Sequence, residues 1–155
     1  ITGYVKAYVG GTNYNYFVDF LPINEEALCE YKQIAGSYAV IRIDGKYLIC
    51  YNKWRNQWEL PAGGREQNET SKQCAMRELF EETGQVVENL QFIGLLQSKL
   101  RQTEALKYNP VYFAEINNLQ PFIENDEIVE IQLWDASTPL DHFDPLDRKI
   151  LDYIK

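Results

Sequence analysis

Three glutamates lie close together in the middle of the chain: Glu78, Glu81 and Glu82. In a helix, the spacing i, i+3 and i+4 places their side chains on one face. Neighbouring carboxylates repel one another, and a divalent cation would remove that penalty. Because oxygen ligands suit hard cations, the cluster predicts a site for Mg2+, with Mn2+ as a substitute. The alternative is a solvated helix with an acidic face, which is common in soluble proteins.

The residues before this cluster favour the metal site. The run Pro61-Ala62-Gly63-Gly64 follows a predicted strand end and precedes the predicted helix. Glycine lacks a Cβ atom, so the backbone at Gly63 and Gly64 can approach a ligand closely. The order strand, glycine loop and helix therefore predicts a loop that receives a diphosphate beside the carboxylates.

Residues 63–85 resemble the Nudix box, G-x5-E-x7-R-E-U-x-E-E-x-G-U, in which U is a bulky apolar residue. Glu69 and Arg77 stand at prescribed positions, whereas Gln85 occupies the last apolar one. That departure affects packing in the core more than metal chemistry. At ordinary residue usage, chance gives such a match about once in 10^8 windows, so the resemblance predicts family membership.

The resemblance implies roles for residues in and beside the box. Glu81 and Arg77 are implied to be catalytic, Arg77 because it holds glutamate side chains through charge-assisted hydrogen bonds. Glu69 is the expected partner of Arg77. The implied metal ligands are Glu78, Glu82, Glu81 and the backbone carbonyl of Ala62.

Nudix hydrolases often use a general base outside the box, a glutamate on a later loop. The acidic segment here is ENDEIVEIQLW, which contains Glu124, Asp126, Glu127 and Glu130. We predict Glu127 as the base, because it lies just before a predicted strand that ends at Trp134. An ordinary acidic loop explains the segment equally well.

Aromatic and basic residues just before the box are candidates for substrate binding. Tyr51 or Trp58 could stack on a base, and Lys53 or Arg55 could contact phosphate. Packing in the core or on the surface is the simpler explanation for each aromatic residue. The predicted substrate-binding residues are Gly63, Gly64, Tyr51, Lys53, Arg55 and Trp58.

Composition limits the classes of protein that fit. The 155 residues, 45% hydrophobic and 25% charged, predict one globular domain. A net charge of −8 argues against binding to a nucleic-acid backbone, whereas a small phosphorylated nucleotide stays compatible because bound metal inverts the local field. Three cysteines without C-x-x-C spacing predict small buried residues in a reducing cytoplasm. No apolar stretch is long enough to span a membrane.

Strand-rich sequence with one central and one final helix predicts a mixed sheet between helices. This agrees with the α/β/α sandwich that the Nudix resemblance implies. Residues 1–36 are predicted to be an N-terminal extension, with a β-hairpin at 5–20 around Gly10-Gly11; homodimerisation, substrate cover or extra core are its open roles. Asp44-Gly45 predicts a hairpin turn. The remaining predicted elements are helices at 25–34 and 144–154 and strands at 38–43, 46–51, 90–97, 110–116 and 128–134.

The box helix is expected to begin within residues 68–71, a polar cluster, and to end at Gly84. Met76, Leu79 and Phe80 are expected to pack into the core on the side opposite the glutamates.

The resemblance implies a Mg2+-dependent hydrolase that cleaves a diphosphate bond in a nucleoside diphosphate linked to another group. Nucleoside triphosphates, including oxidised ones, are the leading substrate class. An ADP-ribose or nucleotide-sugar pyrophosphatase is the alternative: Pro61-Ala62-Gly63 resembles ADP-ribose hydrolases, but Leu100 stands where these often have proline. A nucleotide-sensing module without catalysis usually loses box glutamates, and all four are present. A prenyl diphosphate isomerase would need catalytic Cys and Glu residues outside the box, for which no clear motif exists.

Overall fold

The structure, a computed structural model, describes residues 15–155. The strands of this part of the chain form one mixed sheet. In chain order, the elements are β1 (Asn15–Leu21), a 3-10 helix (Glu25–Glu30), β2 (Ser37–Ile43), β3 (Lys46–Asn52), β4 (Gln57–Glu59), β5 (Ala62–Gly63), α1 (Ser71–Thr83), β6 (Gln91–Leu100), β7 (Leu106–Glu115), β8 (Ile128–Trp134) and α2 (Pro145–Leu151). The strand order is β1-β6-β7-β2-β3-β4, with β5 paired to β2 and β8 paired to β3. The β2–β7 pair is parallel, and the β2–β3 pair is antiparallel.

The central strand β2 is apolar on both sides, so both faces of the sheet must be covered. Helix α2 packs on one face and helix α1 on the other. Successive side chains of a strand point to opposite faces. Val40 therefore joins one core, which includes Ile150 of α2, and Ile41 joins the other, which includes Leu79 of α1. The predicted α/β/α sandwich is confirmed. Neither α1 nor α2, nor the 3-10 helix, has the length and apolar character needed to cross a membrane.

The predicted elements after residue 36 are present, with shifts at their ends. Asp44 and Gly45 both have positive φ, 50° and 78°, as a tight hairpin turn between twisted strands requires. The last helix ends at Leu151 instead of 154, because the following amides bond three residues back; for example, the Ile154 N–H donates to the Leu151 carbonyl at 3.3 Å. The first helix is shorter than predicted, a 3-10 turn that stops where Tyr31 becomes extended.

The N-terminal extension contributes a strand to the main sheet. The first strand and the turn of the hairpin predicted at 5–20 lie outside the described residues. The following strand, β1, pairs antiparallel with β6. Phe20 of β1 is buried and packs over Gly94, where a Cβ atom would overlap its ring.

Helix α1 begins and ends as predicted. Thr70 and Gln73 form a capping box, and Gly84 ends the helix in the left-handed conformation, φ 84°. The prediction that Phe80 packs into the core is wrong, since its side chain is 46% exposed. The buried stripe contains Ser71, Cys74, Ala75, Leu79, Glu82 and Thr83. Leu79 is fully buried and Met76 packs against the same core, as predicted, but the stripe also includes Glu82 and so extends to the acidic face.

The cysteines are not all buried. Cys50 and Cys74 are, as expected from the sequence, whereas Cys29 is exposed on the 3-10 helix. The prediction of a buried Cys29 is therefore wrong, because this segment packs against the sheet through other side chains, such as Glu25, which accepts a hydrogen bond from the Tyr112 hydroxyl at 2.6 Å.

Candidate active site

The glycine loop and helix α1 are fastened to each other. Gly63 lies so close to the Glu78 carboxylate that an added Cβ atom would overlap it. The Ala62 N–H donates to Glu82 Oε1 at 3.0 Å, and the Cys74 thiol donates to the Gly63 carbonyl at 3.2 Å. Two of the predicted metal ligands, Glu78 and Glu82, therefore stand beside the loop at Ala62 and Gly63.

Arg77 ties the acidic residues of the box together. Its Nε and Nη2 atoms donate to the two carboxylate oxygens of Glu69 at 2.6 and 3.0 Å, the pairing expected from the sequence. Its Nη1 atom donates to Glu78 Oε2 at 3.0 Å and to Glu81 Oε1 at 3.1 Å. Nη2 also donates to the Gly64 carbonyl at 2.7 Å. Because the guanidinium fork is planar, these contacts fix the Glu78 carboxylate relative to the loop.

The three helix glutamates differ in exposure. Glu82 is 4% exposed, and burial raises its pKa well above the usual range, with the charges of Glu127 and Glu78 adding to the effect. Burial also raises the pKa of Glu78 to about 7, although Arg77 opposes the shift. The Glu81 side chain is 53% exposed and reaches Arg77. Glu82 is thus buried, Glu78 is partly buried with its side chain 14% exposed, and Glu81 lies at the edge of this pair.

The donor atoms of this pair suit a hard divalent cation. Within residues 15–155, no group of three Asp, Glu, His or Cys side chains lies close enough together to hold a metal ion. Glu78 and Glu82 nevertheless offer carboxylate oxygens in a partly buried region where negative charges raise each other's pKa. A cation would offset that repulsion, and oxygen ligands are those that Mg2+ and Mn2+ prefer.

Glu127 belongs to a hydrogen-bonded network with strands β3 and β4. Asn52 Nδ2 donates to Glu127 Oε2 at 2.7 Å and to Glu59 Oε1 at 3.2 Å. Arg55 Nη2 donates to the same Glu127 oxygen at 3.3 Å, and Arg55 Nε donates to Glu59 Oε2 at 2.6 Å. Burial raises the pKa of Glu127, while Arg55 opposes the shift. The network holds the Glu127 carboxylate in one orientation.

Asn52 and Glu59 of this network were not predicted from the sequence. Both are buried polar residues; Asn52 ends the mostly apolar strand β3, and Glu59 ends the short strand β4. One sequence signal could have identified them: Asn52 and Glu59 flank Arg55 in the chain. Buried polar side chains need hydrogen-bond partners, and Arg55 is the nearby residue that can supply them.

A cavity of about 310 Å3 opens beside the glycine loop. Gly63, Gly64 and Arg55 line it, together with Ala62. Its walls also contain polar side chains that sequence reasoning missed, namely Tyr38, Lys107, Asn109, Asp144 and Asp147. The cavity thus combines the loop with a polar wall that comes from β2, β7 and the start of α2.

Ionisable groups on this wall have shifted pKa values. Burial raises the pKa of Asp147 well above its usual range, and the neighbouring Asp144 adds to the shift. Burial also raises the pKa of Asp144 to about 6. Burial lowers the pKa of Lys107, and the charge of Arg55 acts in the same direction. The wall therefore places two carboxyl groups and an amine in a partly buried region beside the glycine loop.

Three predicted substrate-binding residues do not line the cavity. Tyr51 and Trp58 pack edge to face, with ring centroids 5.3 Å apart, and Trp58 also packs against the core beside α2. The Lys53 N–H donates to the Glu127 carbonyl at 3.0 Å, so its backbone supports the segment that carries the acid. These three residues lie around the Glu127 network and not along the cavity wall.

Comparison with known proteins bears on this site. The family model of the NUDIX domain matches residues 33–154. The putative 8-oxo-dGTP diphosphatase YtkD of Bacillus subtilis is 34% identical over 83 residues, which cover 54% of this chain and 51% of that protein. The chain thus spans about half the length of this curated relative.

Two solved structures share the fold. The MutT NUDIX hydrolase from Burkholderia pseudomallei superposes with a TM-score of 0.67 and 21% identity, over 77% of this chain and 96% of that one. The Bacillus subtilis pyrophosphohydrolase BsRppH gives a TM-score of 0.66 and 22% identity, over 86% and 84%. Because the family model covers most of the sequence, the chain belongs to the NUDIX family, whose hydrolases act on phosphoric anhydrides.

Proposed function

We propose that the chain is a Mg2+-dependent pyrophosphohydrolase of nucleoside or deoxynucleoside triphosphates. The observation that carries the proposal is the placement of two carboxylates, the buried Glu82 and the partly buried Glu78, against a glycine loop that also lines a cavity. Glu78, Glu82 and the Ala62 carbonyl would hold a divalent cation, which would supply positive charge to offset the negative charge of the phosphates.

The remaining site residues would orient the substrate and move a proton. Glu127 would accept a proton from the attacking water, and its raised pKa favours proton uptake. Asn52 and Arg55 hold this carboxylate through Oε2. Arg77 holds the Glu78 carboxylate in place through a hydrogen bond, as Asn52 and Arg55 hold that of Glu127. Both carboxylates are therefore oriented before the substrate binds.

The cavity suits the nucleoside part of the substrate. Its polar wall, from Lys107 and Asn109 to Asp144 and Asp147, offers donors and acceptors to a base or a ribose, while Arg55 adds a positive charge for phosphate. The relative named as an 8-oxo-dGTP diphosphatase supports a triphosphate substrate. An ADP-ribose or nucleotide-sugar pyrophosphatase is the second candidate, because the Pro61-Ala62-Gly63 sequence resembles ADP-ribose hydrolases.

Product analysis separates these candidates. The purified chain is incubated with Mg2+ and a panel of dNTPs, 8-oxo-dGTP, ADP-ribose, dinucleoside polyphosphates and capped RNA, and the products are identified by chromatography. A triphosphate hydrolase of the proposed kind releases pyrophosphate and a nucleoside monophosphate. Release of AMP and ribose 5-phosphate from ADP-ribose alone would favour the second candidate. Absence of any metal-dependent cleavage by folded protein would contradict both and favour a nucleotide-sensing module.

A further inference from the structure

The segment of residues 116–127, which joins β7 to β8 and ends at Glu127, crosses the C-terminal end of α1. Gly84 allows this close approach, because a Cβ atom there would lie 2.8 Å from Ile123 Cγ1 and 3.0 Å from the Pro121 carbonyl oxygen. Asn125 Nδ2 donates to the Glu82 carbonyl at 3.2 Å. The connecting segment is therefore attached to the same helical turn that supplies Glu82.

Gln85 forms two further hydrogen bonds to the segment, both shorter than that of Asn125. Its side chain is 1% exposed. Gln85 Nε2 donates to the Gln120 carbonyl at 2.8 Å, and Gln85 Oε1 accepts from the Gln120 N–H at 2.7 Å. The Gln120 side chain returns the contact, since its Oε1 accepts from the Val86 N–H at 2.6 Å. The buried side-chain amide of Gln85 thus forms hydrogen bonds with both the N–H and the carbonyl of Gln120, and we call this pair of bonds the clamp.

The clamp is connected to the acid through short steps along the segment. Asn125 Oδ1 accepts from the N–H groups of Glu127 at 3.0 Å and Ile128 at 2.8 Å, so the residue bonded to the Glu82 carbonyl also fixes the backbone of Glu127. Gln85 and Asn125 therefore hold the two ends of one stretch against α1. On its other side Glu127 is bonded by Asn52, Arg55 and the Lys53 N–H, so Gln85 and Asn125 hold the segment from the α1 side.

From these contacts we infer that Gln85 is a positioning residue: through Gln120 it fixes the segment that presents Glu127 to the site formed by Glu78 and Glu82. The inference rests on the proposed hydrolase function. Gln85 occupies the last apolar position of the box, where a hydrophobic side chain would pack but could not bond Gln120. An apolar residue there should keep the fold and release the segment, because Gln120 is exposed and water can satisfy its backbone.

The test combines Gln85→Leu with Glu127→Gln in a double-mutant cycle, assayed on 8-oxo-dGTP or whichever nucleotide of the panel the wild type hydrolyses fastest. A small displacement of a catalytic group lowers turnover without weakening substrate binding equally. Gln85→Leu is expected to lower kcat about tenfold or more, with KM within about threefold of the wild type. In the Glu127→Gln background it is expected to cause little further loss, because the group that it positions is already gone.

Amide hydrogen exchange gives an independent readout. The Gln120 N–H loses its acceptor in Gln85→Leu, so its exchange should become faster, together with that of the Glu127 N–H. Asn118→Ala, at an exposed residue of the same segment, is the matched control and should leave exchange and turnover unchanged. Gln85→Met, which keeps the unbranched shape of glutamine, replaces the leucine variant if that variant does not fold.

The outcomes separate the two levels of the reasoning. Suppose that the wild type is active and that Gln85→Leu lowers kcat by the same factor in the wild-type and Glu127→Gln backgrounds. That result would overturn the positioning role and leave the hydrolase function intact. Unchanged kcat and unchanged Gln120 exchange in Gln85→Leu would overturn it as well. A wild type that cleaves no nucleotide would refute the proposed function, and the positioning role would fall with it.

Discussion

Replacement of Gly63 by alanine tests the contact between the glycine loop and the metal site. The added Cβ atom would overlap the Glu78 carboxylate. Gly63 is not among the glycines with positive φ, so the backbone itself accepts alanine. The carboxylate must therefore move away, while Arg77, bonded to it at 3.0 Å, opposes the movement. The variant should fold, but with Glu78 displaced from the loop.

The magnitude follows from the contacts that the displacement breaks. Overpacking of this kind costs about 1–3 kcal/mol of the free energy of unfolding. Loss of the charge-assisted bond from Arg77 to Glu78 falls in a similar range, about 1.5–3 kcal/mol, before solvent screening. Displacement of a ligand should weaken metal binding at least as much as loss of an outer partner does, about 10–100-fold.

The assay is Mn2+ titration followed by electron paramagnetic resonance, with thermal unfolding measured in parallel. Gly64→Ala is the matched control, because an added Cβ atom at Gly64 would have no neighbour within 4 Å. The reasoning requires that Gly63→Ala loses Mn2+ affinity and Gly64→Ala keeps it. Equal affinities in the two variants, with both folded, would refute the proposed proximity of Glu78 to the bound cation.

Three further predictions concern charge. Arg77→Lys should lower the free energy of unfolding by about 1–3 kcal/mol in chemical denaturation, because an ammonium cannot span Glu69 and Glu78 as the guanidinium does; an unchanged midpoint would contradict this. Mn2+ affinity should rise at least about tenfold per pH unit below pH 7, because protons on Glu78, whose pKa is about 7, and on Glu82, whose pKa burial raises well above its usual range, compete with the cation; a flat profile in calorimetry would argue against these two residues as ligands. Asp144 has a folded-state pKa of about 6 against the usual 3.8, so the folded state binds more protons between these values and stability falls as pH rises through that window. Asp147, whose pKa is also raised by burial and by Asp144, contributes to the same fall. Asp144→Asn, which keeps a good helix cap, should make the fall smaller by on the order of 1–3 kcal/mol in pH-dependent denaturation curves, and a fall of the same size in the variant would refute the assignment.

Local signals predicted the elements that carry the site. The helix ends at Thr70 and Gly84 follow from capping chemistry, which involves residues within one turn of each other. The turn at Asp44-Gly45 depends only on the conformations open to those two residues. The Arg77–Glu69 pair could be predicted because the box motif fixes their spacing and the helix start brings them together.

The contacts of Glu127 could not be predicted in this way. Asn52 and Glu127 are 75 positions apart and meet because β8 pairs with β3, a long-range choice that hydrophobic periodicity does not specify. The cavity residues Lys107 and Asp147 come from separate elements for the same reason. Sequence patterns identify polar residues, but strand pairing decides which of them share a site.

The error at Phe80 has a different cause. A helical pattern assigns apolar residues to the buried side and charged residues to the exposed side. In α1, the glycine loop bonds to Glu82 and lies against Glu78, so the buried stripe includes a carboxylate, Glu82, and Phe80 lies outside it. A partly buried acidic site reverses the usual reading of the pattern, and that reversal is itself a sign of function.

The central claim is that the buried Glu82 and the partly buried Glu78, in contrast to the exposed Glu81, support metal-dependent hydrolysis. The most direct measurement is the initial rate of nucleotide hydrolysis as a function of Mg2+ concentration for the wild type, Glu82→Gln and Glu81→Gln. We expect Glu82→Gln to lower kcat/KM by more than about 100-fold, beyond the loss typical of an outer partner, and Glu81→Gln to lower it much less. Equal losses in the two variants, or a wild-type rate independent of Mg2+, would contradict the account.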